Sequence, residues 1–159
     1  MDVWNKKTLI LMLVFSCMLF ISCNKTERRL MSYLRDVNPS QQKEVTIDLR
    51  KAMDVDYDCA YLFFECTTER DIEAVLGIPY REKTFLPDSK HKLILMKDKK
   101  IVYDDNFYYD DIEFFFYNRK YHYQTEDVSY LMWHDSIFVA TLKDNGYGEL
   151  FYQLRPIAD

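Results

Sequence analysis

Polar and apolar residues alternate with a period of two along much of the chain, and this alternation predicts β-strands. In the first such segment Val45, Ile47 and Leu49 are separated by polar residues. Turn-forming segments at 97–100, 118–120 and 144–146 predict hairpins, so successive strands should form a mainly antiparallel, meandering sheet. The further strands are predicted at 60–65, 92–96, 101–103, 112–117, 121–124, 127–133, 137–142 and 149–154.

One segment has the spacing and the boundary residues of a helix. Thr68 and Asp71 form a capping box at its start, and Gly77 ends it. Together with a shorter helical pattern over 26–37, this predicts an α+β fold in which a helix over 68–76 packs on the sheet. We expect a single domain over 44–159. The apolar stripe of the helix consists of Ile72, Val75 and Leu76.

The amino terminus follows neither pattern. Lys6 and Lys7 precede an almost continuous apolar segment, 9–22, and the chain turns polar after Cys23. A transmembrane helix needs roughly 20 apolar residues, so this segment is too short to span a bilayer comfortably. A positive start, an apolar middle and a small residue, Ser22, before the cleavage point are typical of a secretory signal peptide.

With Cys23 directly after Ser22, the segment resembles the signal of bacterial lipoproteins. The lipobox of that family places a small residue before a cysteine that is acylated and becomes the mature amino terminus. The resemblance implies a signal peptide over 1–22, a lipid such as palmitate on Cys23, and a tether with a short helix over 23–43. Phe20 departs from the family, which more often has Leu there. The alternative is an ordinary signal peptide or an uncleaved anchor with a coincidental cysteine.

Lipid on Cys23 would make membrane attachment covalent and stable. Asn24 follows the cysteine where Asp directs inner-membrane retention in some bacteria, so we expect the outer membrane, with the domain facing the periplasm or the surface. The chain has 21 basic and 26 acidic residues and a net charge of -5, which argues against a nucleic-acid partner. Because an acidic body gains nothing from anionic lipid, we expect the domain to project outward on its tether.

A second resemblance covers roughly residues 45–105. An acidic-aromatic-acidic triplet, Asp56-Tyr57-Asp58, precedes a predicted strand, a helix closing in Leu76-Gly77 follows, and a strand-turn-strand comes next. This order is similar to that of a group of small, uncharacterised bacterial lipoproteins, although Tyr57 stands where Trp is expected. The resemblance implies fold and anchoring and carries no activity.

The candidate binding residues follow the predicted strand at 101–103. Paired carboxylates flank aromatic residues there in a predicted loop, an arrangement that can bind a cation or perform general acid-base catalysis. The alternative is solvated charge at the ends of a loop. The candidates are Asp104, Asp105, Tyr108, Tyr109, Asp110 and Asp111.

Two other sets of residues have the chemistry of metal ligands. Four acidic residues have the spacing of a calcium-binding helix-loop-helix loop, but Cys59 occupies the position that requires Gly, which favours a plain acidic loop. Three histidines lack the close spacing of a ligand pair. We therefore expect no metal and no cofactor. The acidic residues are Asp54, Asp56, Asp58 and Glu65, and the histidines are His91, His122 and His134.

Cys59 and Cys66 remain for a disulfide once Cys17 leaves with the signal peptide and Cys23 carries lipid. If a continuous strand joins them, their Cα atoms are roughly 23 Å apart, and a disulfide requires a separation below about 7 Å. The sequence therefore predicts two buried free thiols. A catalytic thiol is disfavoured because no base is close in sequence.

Aromatic residues make up 16 % of the chain and concentrate in 103–123. They suit an interface, because Tyr and Trp combine an apolar ring with a polar tip, and alternatively they fill a small core. Two classes of function remain. The first is a lipid-anchored binding or assembly module that holds an envelope protein or a glycan with an aromatic sheet face and acidic loops. The second is a small envelope hydrolase using the carboxylates of 104–111, which is disfavoured because no nucleophile-base pair is visible.

Overall fold

A computed structural model describes residues 25–81, 86, 89–108, 110–115, 122–124 and 129–157. The predicted signal peptide, the predicted lipidation site Cys23 and the candidate residue Tyr109 lie outside these ranges. Among the described residues, no helix is both long enough and apolar enough to cross a membrane.

Within these ranges the chain forms three helices and nine strands. The helices are α1 (Lys25–Val37), α2 (Leu49–Met53) and α3 (Glu69–Leu76). The strands are β1 (Glu44–Asp48), β2 (Cys59–Phe63), β3 (Lys90–Lys97), β4 (Lys100–Tyr108), β5 (Ile112–Phe114), β6 (His122–Gln124), β7 (Ser129–Trp133), β8 (Ile137–Asp144) and β9 (Leu150–Pro156).

The strands form two sheets, and the expected mixture of helices with mainly antiparallel strands is confirmed. One sheet has the order β1-β8-β9-β5 and the other β4-β3-β2-β7-β6. The predicted single meander is wrong, because β1 pairs with β8 and β5 pairs in parallel with β9. The predicted pairing of 112–117 with 121–124 is also wrong, since β5 and β6 belong to different sheets. The turn predicted for this pair, 118–120, lies outside the described residues. Alternation identifies strands, but it does not determine which strands become neighbours.

The larger core cluster joins residues of both sheets with α1. Leu62 and Leu93 contribute from the five-stranded sheet, and Phe138 from the four-stranded sheet. Leu30 and Leu34 of α1 belong to the same cluster and are 0 % exposed. The helix that the sequence places in the tether therefore contributes two fully buried leucines to the core.

A second cluster lies on the opposite face of the five-stranded sheet. Leu93 and Leu95 of β3 belong to the first cluster, whereas Ile94 and Met96 belong to the second, as successive side chains of a strand alternate between its faces. We call the face that carries Ile94 and Met96 the outer face. Phe63, Ile72 and Tyr80 are the other buried members of the second cluster.

The boundaries of α3 confirm the capping prediction. The Thr68 side chain accepts a hydrogen bond from the backbone N–H of Asp71, and the Asp71 side chain accepts one from the backbone N–H of Thr68. Gly77 has φ of 66°, the left-handed conformation that favours glycine, and its N–H donates to the carbonyl of Glu73.

Both described cysteines are free thiols, but the prediction that both are buried is wrong. Cys59 is half-buried at the start of β2, whereas Cys66 is exposed. Strand β2 ends at Phe63, three residues before Cys66, which has φ of 67°. The strand predicted to join the two cysteines therefore ends before it reaches Cys66.

Candidate functional site

Asp104 and Asp105 lie in strand β4, so the prediction that they belong to a loop is wrong. As neighbours in a strand they point to opposite faces of the sheet. Asp104 accepts hydrogen bonds from Lys92 Nζ at 2.9 Å and from the hydroxyl of Tyr80 at 2.7 Å. Lys92 is 1 % exposed, so Asp104 compensates a buried positive charge.

Asp105 anchors the first turn of α1. Its Oδ2 accepts hydrogen bonds from the backbone N–H of Thr26 at 2.8 Å and from the Thr26 hydroxyl at 2.9 Å. The hydroxyl of Tyr103 lies 3.0 Å from the Thr26 hydroxyl, and burial raises the pKa of Tyr103 to about 12. A carboxylate at a helix amino terminus is stabilising, because it meets free N–H groups and the positive end of the helix dipole.

The other described candidates of this segment, Tyr108, Asp110 and Asp111, have contacts of their own or are exposed. The ring of Tyr108 lies 4.5 Å from Lys90 Nζ in a cation–π contact. Asp110 and Asp111 are exposed, and the carbonyl of Asp111 accepts a hydrogen bond from the N–H of Tyr152. Asp104 and Asp105 are occupied by internal contacts on opposite faces. The carboxylates of Asp104 and Asp105 therefore do not face a common site.

The four acidic residues with calcium-loop spacing also have separate contacts. Asp56 forms ion pairs with Arg50 and Lys97, and the contact with Lys97 lowers the pKa of Asp56. Asp58 accepts a hydrogen bond from the N–H of Asp98 at 2.9 Å. Glu65 accepts one from the N–H of Ser89, and Asp54 caps α2 in a left-handed conformation. Among the described residues, no group of three or more His, Cys, Asp or Glu is arranged to hold a metal ion.

The three histidines lie in different parts of the fold. His91 is half-buried between the rings of Phe64 and Phe107, and desolvation lowers its pKa to about 4. His134 is exposed, and its Nδ1 lies 2.8 Å from the carbonyl oxygen of Asp58. His122 belongs to β6.

A groove of about 490 Å³ is lined by residues from three separate parts of the chain. These parts are strand β2 with the residue before it, the end of α3 with the residues that follow it, and the end of β3 with the β3–β4 turn. The lining residues are Asp58, Cys59, Tyr61, Leu76, Gly77, Ile78, Met96, Asp98 and Lys99.

Aromatic rings continue from this groove across the outer face. The ring of Tyr61 stacks with that of Phe63, with centroids 6.2 Å apart and planes 11° apart. The ring of Tyr130 lies 6.3 Å from Tyr61 and 5.7 Å from Phe63. This row of three rings is an aromatic sheet face, but it lies on β2 and β7, mostly away from the 103–123 segment where the sequence concentrates aromatics. Tyr61 and Phe63, at alternate positions of one predicted strand, are the signal that could have indicated it.

Asp98 and Lys99, which we call the polar rim of the groove, form the tight turn between β3 and β4. Asp98 and Lys99 have φ of 49° and 61°, the left-handed values of a type I′ hairpin turn, which confirms the hairpin predicted at 97–100. Neither residue is glycine, so the turn stores conformational strain. Asp58 fixes it, because its N–H donates to the carbonyl of Met96 and its carboxylate accepts from the N–H of Asp98.

The chemistry of the groove suits binding. Burial raises the pKa of the Cys59 thiol, which keeps it protonated and weakly nucleophilic at neutral pH. Leu76, Ile78 and Met96 line the groove together with Tyr61, and its charged groups are Asp58, Asp98 and Lys99. Concave apolar surfaces with a few placed polar groups are typical of binding sites.

The comparisons with known proteins give no family for this chain. No protein-family model, no curated protein and no solved structure matches it.

Proposed function

We propose that the protein is a lipid-anchored binding module of the bacterial cell envelope. In this proposal the lipid on Cys23 holds the chain at the membrane, and the groove binds a segment of another envelope protein. The observation that carries the binding role is a groove in which Tyr61, the first ring of the aromatic row, lies beside the turn that Asp58 fixes. Tyr and Met are enriched in protein interfaces because they offer apolar area, and Tyr adds a hydrogen-bonding tip.

The proposal includes packing of α3 on the outer face of the five-stranded sheet, so that the helix forms one wall of the groove. Ile72 is buried in the same cluster as Phe63 and Ile94, which supports this arrangement. Gly77 then turns the chain so that Ile78 lies at the groove. A glycan that stacks on the ring of Tyr61 is the other ligand to test.

The anchor is tested by replacing Cys23 with Ser. We expect Cys23→Ser to lose incorporation of labelled fatty acid and to remain unprocessed or enter the soluble fraction. Cys66→Ser is the matched control, since Cys66 is an exposed free thiol in the folded domain. If Cys23→Ser fractionates and migrates like the wild type, the lipoprotein assignment is wrong.

The groove is tested by photocrosslinking in intact cells from a photoreactive residue at position 99. A discrete crosslinked protein is expected, and Tyr61→Ala should weaken capture by about tenfold or more, because truncating an aromatic hot spot costs about 2 kcal/mol. Tyr147→Ala is the control, since Tyr147 is 92 % exposed and lies in the turn between β8 and β9 of the other sheet. Equal capture in the two variants would contradict the assignment of the groove. A glycan adduct would show that the ligand is not a protein.

A further inference from the structure

The exposed face of α1 is basic over most of its length. Thr26, Leu30 and Leu34 form the buried side of the helix. At 100° per residue, the opposite side carries the residues that line a shallow surface depression of about 510 Å³. These residues are Lys25, Arg28, Arg29, Ser32 and Arg35, and we call them the basic face.

The positive charges of the basic face are available to an external anion. Among the described residues, no carboxylate forms an ion pair with any of the four. Arg29 contacts the carbonyl of Met53 and the ring of Tyr103 and so is held in place. Helix α1 contains two acidic residues. Asp36 lies on the basic side, next to Arg35 and about 16 Å along the axis from Lys25, whereas Glu27 lies in the first turn, 200° around the axis from Lys25.

The position of the basic face follows from the way α1 is attached. Lys25 lies two residues after Cys23, and two residues span at most about 7 Å. Thr26 is 0 % exposed and bonded to Asp105, so α1 cannot separate from β4 to extend the tether. Lipid on Cys23 would therefore hold the first turn of α1 at the bilayer surface.

We propose that the basic face of α1 binds the phosphates of anionic lipid headgroups in the membrane that holds the Cys23 anchor. This inference rests on the proposed lipid anchor. It reverses the expectation, drawn from the net charge of -5, that the domain projects away from the surface. At about 0.1 M salt charges are screened over about 10 Å, so the residues nearest the lipid decide the interaction and the distant acidic residues do not.

The test uses the mature protein, purified from membranes with its own amino terminus and reconstituted into vesicles. A donor dye is placed at Val37→Cys, an exposed position at the end of α1 outside the basic face, in a background of Cys59→Ser and Cys66→Ser, and an acceptor dye is placed on the lipid headgroups. Vesicles of phosphatidylcholine alone are compared with vesicles that also contain phosphatidylglycerol. Energy transfer should rise with phosphatidylglycerol and fall back in 1 M salt, where the screening length is about 3 Å.

The charge variant is Lys25→Gln, Arg28→Gln and Arg35→Gln together. Each basic residue near an anionic surface changes the ratio of surface-bound to outward-pointing molecules about fivefold. The triple variant should therefore lower this ratio on the order of 100-fold, and its energy transfer should not rise with phosphatidylglycerol. Lys51→Gln, Lys100→Gln and Lys143→Gln together are the control, since they remove the same charge from exposed positions that belong neither to the basic face nor to the groove. The control variant should show the same rise of energy transfer with phosphatidylglycerol as the protein without charge substitutions.

The outcomes separate this inference from the anchor. Protein that does not float with either vesicle contradicts the lipid anchor. Protein that floats, but shows the same transfer with and without phosphatidylglycerol, leaves the anchor in place and overturns the role of the basic face. A rise that the control variant also loses overturns it as well, because the effect would then follow total charge and not the position of the charges.

Discussion

Replacing Asp104 by Ala is expected to lower the free energy of unfolding by about 3 kcal/mol, because it removes a carboxylate that contacts the ammonium of a buried lysine. Lys92 Nζ lies 2.9 Å from Asp104 Oδ1, and the Lys92 side chain is 2 % exposed. The hydroxyl of Tyr80 also loses its hydrogen bond to Asp104 in this variant. Urea melts of the protein at neutral pH measure the loss through the midpoint and the slope.

The matched control is the double variant Lys92→Met and Asp104→Leu. Removing both charges leaves no buried ammonium without this carboxylate, although only the Lys92 side chain is buried and that of Asp104 is 31 % exposed. We therefore expect the double variant to melt closer to the wild-type midpoint than Asp104→Ala does, and to keep the crosslink from position 99. If Asp104→Ala melts like the wild type, the contact with Lys92 does not stabilise the fold.

The Asp104 contact illustrates where sequence reasoning stops. Adjacent carboxylates beside aromatic residues are compatible with a binding loop, and the sequence does not show that Lys92 and Tyr80 converge on one of them. The partners lie 12 and 24 residues away in the chain. Local interactions were predictable by contrast, because the capping box of Thr68 and Asp71 and the turn at 97–100 involve residues within four positions of each other.

The groove was beyond sequence reasoning for the same reason. Tyr61, Ile78 and Lys99 belong to three segments that meet only after β2, β3 and α3 have taken their places. The strand pairings that bring them together are not encoded by alternation, as the parallel pairing of β5 with β9 demonstrates. The basic face of α1 is different, because its spacing was visible in the sequence. The net charge of the whole chain is negative, and it gives no indication that the basic residues of α1 lie together on one face.

The second large effect concerns His91 and the loss of stability at mildly acidic pH. Its pKa is lowered from about 6.5 to about 4 mainly by burial, and Glu65 opposes the shift. The unfolded chain therefore binds more protons than the folded chain between these two pH values. The contribution of His91 is complete above pH 6.5 and is lost as the pH falls toward 4. We expect a loss of about 2 kcal/mol between pH 7 and pH 4.5, at 1.36 kcal/mol for each unit of pKa difference.

His91→Phe isolates this effect, because an aromatic ring can occupy the space between Phe64 and Phe107, whose centroids lie 5.0 and 6.0 Å from the imidazole. Urea melts of the wild type, His91→Phe and the exposed-ring control His134→Asn are compared at pH 7 and pH 4.5. His91→Phe should lose about 2 kcal/mol less than the other two on acidification. Asp56 does not interfere, since its lowered pKa places its own loss below pH 3.8. Equal losses in all three proteins would mean that the imidazole accepts its proton in the folded state, and that the site between the two rings is open to water.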